Sequence, residues 1–165
     1  MPVRKYSTKI YENPDDLIPI LEGLRDSGKT IVFGNGCFDI IHPGHLNYFE
    51  EARELGDALI IAINTDESIK RIKPDKKIAQ PYTERAIVVA GFEAVDYVVP
   101  LREDTPVHLL ELFKPHIHTK GTDYTLDTLP ERAIVESYGG QIRFVGGPKD
   151  RSTSQILEKI LGIHK

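Results

Sequence analysis

The sequence lacks tryptophan and has one methionine and one cysteine, Cys37, among 165 residues. A lone cysteine cannot form an intrachain disulfide, which favours a reducing compartment, so we expect a cytoplasmic protein. No apolar run approaches the ~20 residues of a membrane-spanning helix, and the charged N-terminus lacks the apolar stretch of a secretory signal. An excess of positive charge is missing too: the net charge of −4 provides no global attraction to nucleic acid or an anionic membrane.

Hydrophobic residues make up 40% of the chain and charged residues 28%, which is an ordinary balance for a globular protein. Short β-rich runs alternate with stretches of helical periodicity along the whole length. Such alternation predicts a mainly parallel sheet covered by helices on both faces. We therefore expect one domain over 1–165, a three-layer α/β Rossmann-like fold with five mainly parallel strands, on which 1–28 packs as a helical extension.

The predicted elements follow the apolar pattern and the capping residues. The predicted strands are 30–33, 58–63, 96–99, 117–120 and 142–145. The predicted helices span 14–27, 83–92 and 130–138, or begin near Pro43, Thr105 and Ser152. The polar, basic stretch 71–80 is predicted to be a loop. In a parallel sheet, ligands bind beyond the carboxyl ends of the strands, so the residues that follow each strand matter most.

Two histidines three residues apart follow the first predicted strand, in the segment GNGCFDIIHPGH at 34–45. At a helix start this spacing lets both rings face one point, and Pro43 suits the first helical turn. Imidazoles at the positive end of a helix dipole can donate hydrogen bonds to an anion, such as a phosphorus centre that gains charge in its transition state. At Gly44 no side chain hinders the approach of a phosphate to the backbone.

Other interpretations of this segment stay open at this point. The histidines could bind a metal with Cys37, but zinc needs three or four ligands and nothing nearby supplies a fourth. They could be purely structural, although the glycine-rich strand exit beside them is typical of a ligand site. The GNG stretch lacks the third glycine of a dinucleotide fingerprint. Cys37 could be a nucleophile, but a small buried residue is the simpler interpretation because no base is placed beside it.

The segment GCFDIIHPGH resembles the HxGH motif of the cytidylyltransferase-like nucleotidyltransferases. The resemblance continues through the basic loop, AVDYVVPLREDTP, KPHIHTKGTDY and the STS helix, in the order typical of that family, and covers nearly the whole chain from about Asp15. Within the family the chain is most similar to the ADP-heptose synthases, through NGCFD, INTD at 63–66 and KGTDY at 120–124.

This resemblance implies that a substrate phosphate attacks the α-phosphorus of a nucleotide directly. His42 and His45 would stabilise the charged transition state together with Lys73, which lies where the family places a phosphate-binding lysine. Asp39 would support the loop, unless it only caps a turn. The implied nucleotide contacts are Gly36, Cys37, Phe38, Asp39, Gly44, Asn64, Arg85, Ser152, Thr153 and Ser154. The implied substrate contacts are Lys120, Gly121, Asp123 and Tyr124.

Some of these residues have simpler alternatives. Lys73, Arg85 and Lys120 could be solvated surface charges, the usual fate of such side chains, and we expect this for Lys76 and Lys77. Ser152 and Gln155 have the spacing of a capping box, which would explain the serine without any phosphate. The residues at 149–151 depart from the small residues usual before this helix in the family, and Arg151 could add a phosphate contact.

The resemblance implies transfer of AMP from ATP to D-glycero-β-D-manno-heptose 1-phosphate, giving ADP-heptose and pyrophosphate. Mg²⁺ would enter on the triphosphate, with no metal site built from the protein alone. The expected partners are the sugar phosphate, ATP and further copies of the chain in a homo-oligomer. Alternatives are a cytidylyltransferase for glycerol 3-phosphate, an FMN adenylyltransferase, and a nucleotide-binding regulatory module without turnover.

Overall fold

A computed structural model describes residues 2–148 and 152–162 of the chain. Five strands form one sheet: β1 (Ile31–Gly36), β2 (Ala58–Asn64), β3 (Tyr97–Leu101), β4 (Ile117–Gly121) and β5 (Gln141–Val145). The strand order is β3-β2-β1-β4-β5, and every neighbouring pair is parallel. The predicted α/β fold with a five-stranded parallel sheet is confirmed.

Seven α-helices are present in the described part of the chain, and most connect successive strands. They are α1 (Ile18–Asp26), α2 (Pro43–Glu54), α3 (Asp66–Ile72), α4 (Tyr82–Ala90), α5 (Val107–Phe113), α6 (Arg132–Ser137) and α7 (Thr153–Ile160). Short 3₁₀ turns cover Tyr6–Thr8, Pro14–Leu17 and Leu126–Thr128. No helix among the described residues is long and apolar enough to cross a bilayer.

The sheet lies between two helical layers because alternate residues of its central strands point to opposite faces. Phe33 and Ile60 pack against α1, α5 and α6, whereas Val32 and Ile61 pack against α2 and α4. All seven residues of β2 are buried, as expected for a strand covered on both faces. Burial of each large aliphatic side chain stabilises the fold by about 1.5–3 kcal/mol, so this central strand anchors the three layers.

The N-terminal segment covers the β3 edge of the sheet. Ile10 forms a parallel bridge with Val98, and the Val98 N–H donates to the Lys9 carbonyl at 2.8 Å. The Lys9 ammonium is buried and donates to the carbonyls of Phe92 and Val95 at 2.9 and 2.8 Å. An edge strand covered in this way does not present unpaired backbone groups to another chain.

The stretch between β2 and α4 differs from the sequence-based expectation. We predicted a loop over 71–80, but α3 includes Arg71 and Ile72. The helix begins because the Thr65 side chain accepts a hydrogen bond from the Ser68 N–H at 3.3 Å. Ile69 is its one fully buried apolar residue, so the apolar periodicity that reveals longer helices is too short here to be recognised.

Candidate active site

A cavity of about 530 Å³ lies where β1 and β4 end. These strands are neighbours, and the chain leaves them toward opposite edges of the sheet, to β2 on one side and to β5 on the other. Ligands bind at such switch points in open α/β sheets. Arg85 lies elsewhere, while the other predicted site residues line the cavity: Gly36, Cys37, Phe38, Asp39, His42, Gly44, His45, Asn64, Lys73, Lys120, Gly121, Asp123, Tyr124, Ser152, Thr153 and Ser154.

The loop between β1 and α2 is fixed by the packing of Phe38. This residue has φ of 47°, in the left-handed region that costs a non-glycine residue about 1–2 kcal/mol. Its ring is buried against Phe49 and His45, with ring centroids 5.1 and 5.3 Å away. A Cβ at Gly36 would lie 2.9 Å from the Phe38 ring, so a glycine is needed for this turn. The tight turn holds the backbone of 36–38 in the cavity wall.

The two histidines stack at the start of α2, with ring centroids 3.8 Å apart and an interplanar angle of 28°. His42 Nδ1 accepts a hydrogen bond from the Gly44 N–H at 3.2 Å, and His45 Nδ1 accepts one from the His42 N–H at 3.4 Å. Because each Nδ1 is an acceptor, the neutral rings carry their proton on Nε2 and are donors there. Two imidazole donors at the positive end of a helix dipole are suited to an anion.

Gly44 has a second role beyond access of a phosphate to the backbone. A Cβ at this position would lie 2.9 Å from Cε1 of His42. The glycine therefore also provides the space into which the His42 ring folds back to cap the helix.

Lys73 ends α3 at the rim of the cavity, and Lys76 lines the same wall. The Lys73 side chain is exposed and that of Lys76 is half-buried. We expected Lys76 to be only a solvated surface charge, but the chain turns back after Pro74 and brings it to the cavity with Lys73. Two ammonium groups on one wall increase its attraction for a polyphosphate.

Asp39 connects the loop before α2 with the basic loop. Its carboxylate is almost fully buried and accepts hydrogen bonds from the backbone N–H groups of Ala79 and Gln80, at 2.8 and 2.9 Å. Asp39 therefore joins the loop before α2 to the end of the segment that carries Lys73 and Lys76.

Arg85 takes a position different from the nucleotide contact that we predicted. Its side chain is fully buried in α4 and lies behind the cavity wall. The guanidinium donates to the carbonyls of Cys37 and Gln80 at 2.5 and 2.9 Å and pairs with the Asp66 carboxylate at 2.7 Å. Through these contacts Arg85 positions the loops that line the cavity. A buried guanidinium requires such paired acceptors.

Asn64 connects the end of β2 with both neighbouring loops. Its side-chain amide donates to Ser68 Oγ at 3.0 Å, and its carbonyl oxygen lies 3.9 Å from the Cys37 thiol as an acceptor. Both Asn64 and Cys37 line the cavity, and their contact with a nucleotide stays a prediction.

Lys120 is paired at the end of β4. Its ammonium lies 3.1 Å from Glu131 Oε1 and 4.6 Å from the centre of the Tyr124 ring. Burial alone would raise the pKa of Glu131, but the His118 ring and the Lys120 ammonium outweigh it and hold the pKa at about 2. Glu131 is therefore ionised at neutral pH, and it neutralises the lysine that we predicted as a substrate contact. Gly121 admits the Asp123 carboxylate, which would lie 2.8 Å from a Cβ at that position.

The start of α7 forms the last wall of the cavity. Ser152 Oγ accepts from the Gln155 N–H at 3.3 Å, while Gln155 Oε1 accepts from the Ser152 N–H at 3.1 Å, so the predicted capping box is present. Thr153 Oγ1 donates to the Ile40 carbonyl at 3.3 Å, which docks α7 on the loop before α2. The predicted contact of Arg151 lies outside the described residues.

Sequence reasoning missed several residues that line the cavity, among them Asn35, Tyr48, Thr122 and Glu131. Tyr48 is a core residue of α2 whose hydroxyl bonds to the Thr119 hydroxyl and carbonyl at 2.9 and 3.0 Å. Asn35, in the middle of GNG, is the residue that the motif could have revealed. Thr122 lies inside the KGTDY segment, whereas Tyr48 and Glu131 come to the cavity through tertiary packing and carry no local signal.

Comparisons with known proteins identify the family of this chain. The model of the cytidylyltransferase-like family matches residues 33–157. The chain is 45% identical over 150 residues to the bifunctional protein HldE of Geobacter sulfurreducens, in an alignment that covers 91% of this chain and 31% of that protein. It is 47% identical over 140 residues to the protein of the same name from Hahella chejuensis, covering 85% of this chain and 29% of the relative. The chain thus spans about a third of the length of these curated relatives.

A solved structure supports the same conclusion. The crystal structure of the lipopolysaccharide core biosynthesis protein from Thermoplasma volcanium superposes with a TM-score of 0.61 at 26% sequence identity, covering 71% of this chain and 97% of that one. The sequence-based assignment to these nucleotidyltransferases is confirmed: the chain belongs to the cytidylyltransferase-like family.

Proposed function

We propose that this protein is an adenylyltransferase that transfers AMP from ATP to D-glycero-β-D-manno-heptose 1-phosphate and releases pyrophosphate. The observation that carries the proposal is the stacked pair His42 and His45 at the start of α2, beside the cavity at the switch point. Their backbone hydrogen bonds fix the rings before any ligand binds, as stabilisation of a charged transition state requires.

Each wall of the cavity has a role in this reaction. Lys73 and the hydroxyl-bearing start of α7 hold the phosphates of ATP, and the turn at Phe38 holds the rest of the nucleotide. His42 and His45 donate to the α-phosphoryl oxygens as the acceptor phosphate attacks and pyrophosphate leaves. The segment from Lys120 to Tyr124 holds the acceptor near the α-phosphorus, which raises the rate by positioning. Arg85 and Asp39 act through the loops that they hold.

The choice of acceptor rests on similarity together with the chemistry of one wall. The matched relatives are proteins named HldE, and the similar solved structure is named for lipopolysaccharide core biosynthesis. The KGTDY segment offers a carboxylate and a phenol that can hydrogen-bond sugar hydroxyls. A flavin would require a broad apolar floor, and glycerol 3-phosphate would use fewer of these polar groups.

Mg²⁺ is the cofactor that this reaction requires, carried by the triphosphate. Among the described residues, no group of three or more His, Cys, Asp or Glu side chains is placed to hold a metal ion. Mg²⁺ would arrive on phosphate oxygens of ATP and would need few ligands from the protein. The ion would neutralise phosphate charge when bound. We also propose a single domain over 1–165, a cytoplasmic location and a homo-oligomeric state.

A pyrophosphate-release screen tests the proposal, crossing ATP and CTP with heptose 1-phosphate, hexose 1-phosphates, glycerol 3-phosphate and FMN. We expect the highest kcat/KM for ATP with D-glycero-β-D-manno-heptose 1-phosphate. A higher value for CTP with glycerol 3-phosphate, or for ATP with FMN, would contradict the substrate and keep the reaction class. Absence of pyrophosphate release with every pair would instead favour a nucleotide-binding module.

A further inference from the structure

Glu131 is a buried carboxylate in the cavity wall that the proposed chemistry does not use. It lies at the N-cap of α6, and only 4% of its side chain is exposed. One oxygen, Oε1, pairs with Lys120 at 3.1 Å. The other oxygen, Oε2, is buried and has no hydrogen-bond partner among the described residues.

The neighbours of Glu131 leave this corner of the cavity without excess positive charge. His118 is fully buried, its Nε2 lies 3.9 Å from Glu131 Oε1, and burial lowers its pKa, so the ring is neutral at pH 7. Among the described residues, Lys120 provides the ammonium that pairs with this carboxylate, and the Tyr124 ring covers it at 4.6 Å. One positive and one negative charge cancel here, and the Asp123 carboxylate on the same cavity wall adds a second negative charge.

The other side of the cavity has a different character. Lys73 and Lys76 follow α3, on the β2 side of β1, whereas Lys120 and Glu131 lie on the β4 side. Phosphate groups are favoured beside unpaired cations, and a carboxylate repels them. A surface without excess positive charge that offers an ammonium donor and carboxylate acceptors is instead suited to hydroxyl groups, which both donate and accept. A buried carboxylate oxygen without a donor costs free energy until a ligand supplies one.

We propose that Glu131 determines acceptor specificity: its carboxylate, held by Lys120, accepts a hydrogen bond from a hydroxyl group of a polyhydroxylated phosphate. This inference rests on the proposed function and names the part of the substrate that the β4 wall recognises. It also revises the role of Lys120, which orients Glu131 and donates a hydrogen bond to the hydroxyl groups of the acceptor. The phosphate of the acceptor then lies toward the histidines, where it attacks the α-phosphorus.

Calorimetric titration tests this on the whole chain loaded with a nonhydrolysable ATP analogue. The probes share a phosphate and differ in hydroxyl groups: heptose 1-phosphate, mannose 1-phosphate, glycerol 3-phosphate and methyl phosphate. We expect Glu131→Gln to raise the Kd for the sugar phosphates at least about 10-fold, which is the scale for loss of a hydrogen bond to a charged group. Affinity for methyl phosphate and for the ATP analogue should change less than about twofold. Glu136→Gln is the matched control, since Glu136 is exposed on the same helix and pairs with Arg132 at 2.8 Å.

Glu131→Asp provides a second variant if the glutamine variant does not fold. It keeps the charge beside Lys120 but shortens the side chain, and it should also weaken the sugar phosphates selectively. Tighter binding of methyl phosphate by Glu131→Gln would overturn the inference, because Lys120 would then be a phosphate ligand that Glu131 restrains. Equal affinity of the unmodified protein for mannose 1-phosphate and methyl phosphate would overturn it as well. If heptose 1-phosphate alone does not bind, while other sugar phosphates show a preference that depends on Glu131, only the proposed substrate is contradicted.

Discussion

Each imidazole at the start of α2 accepts a backbone hydrogen bond through Nδ1, and this fixes the ring before the ligand arrives. Truncation of His45 removes a donor from the transition state, while His42 still caps the helix. We expect His45→Ala to lower kcat at least about 10²-fold, the scale for one lost transition-state donor. The Kd for ATP should change much less, since the ring acts mainly on charge that develops during transfer. Pyrophosphate release and calorimetric titration with ATP measure the two effects.

His108→Ala is the matched control for this prediction, because His108 is exposed on α5 and does not line the cavity. It should keep normal turnover. A folded His45→Ala protein with near-normal kcat would remove the assigned role, and an equal loss in kcat and ATP affinity would point to a disturbed loop.

At the residue scale, the sequence predicted which residues reach the cavity better than what they contact there. Histidine spacing and strand ends are local features, so His42, His45 and Lys120 could be recognised from the sequence. The residues that they contact are brought close only by the tertiary fold. Glu131 reaches Lys120 through the turn after β4, and Arg85 reaches the Cys37 carbonyl across 48 positions of the chain. No spacing rule connects such pairs, so Arg85 was assigned to the nucleotide instead of to the loops.

At the scale of secondary-structure elements, the start of α7 allows a helix-capping role to be tested separately from a nucleotide-binding role. Ser152 and Thr153 both line the cavity. The Ser152 hydroxyl is occupied by the capping box with Gln155, whereas the Thr153 hydroxyl docks the helix on the Ile40 carbonyl. We expect Ser152→Ala to lower the free energy of unfolding by about 1 kcal/mol and to keep the nucleotide preference. Thr153→Ala should lower the affinity for ATP more than the affinity for AMP, because the start of α7 is proposed to hold the β- and γ-phosphates.

Thr153→Ser keeps the hydroxyl and serves as the control, with ATP and AMP affinities close to those of the unmodified protein. Calorimetric titration of both nucleotides and thermal unfolding together distinguish the roles. Equal weakening of ATP and AMP in Thr153→Ala would mean that the hydroxyl only docks the helix.

Element prediction was successful where apolar periodicity was long. Each of the five strands was predicted within a few residues, because β1 to β4 are largely buried and the apolar residues of β5 are at least partly buried. The short helix α3 was missed because its cap at Thr65 and its single buried Ile69 make no periodic pattern. Such patterns predict that the strands are parallel but do not indicate their order in the sheet. It is this order that creates the switch point.

For the whole molecule, the buried His118 links stability to pH. His118 lies in β4 opposite Phe33 of β1, with ring centroids 5.6 Å apart, and is fully buried. Burial lowers the pKa of His118 below its ordinary value of 6.5; the Glu131 carboxylate opposes this shift, while Lys120 adds to it. The folded protein therefore keeps the neutral ring at a pH where the unfolded chain binds a proton. This stabilisation is complete above about pH 6.5 and is lost as the pH falls below it.

The loss is measurable as a slope of the free energy of unfolding against pH, of at most about 1.4 kcal/mol per pH unit for one proton. Urea unfolding between about pH 7.5 and 5.5 should show this slope in the unmodified protein, in a range above the ordinary pKa of carboxylates. His118→Gln cannot titrate, so its stability should fall less across the same range. His108→Gln, exposed on α5, should follow the unmodified protein. Parallel curves for His118→Gln and the unmodified protein would show that another group carries the pH dependence, because the difference between them isolates one buried ring.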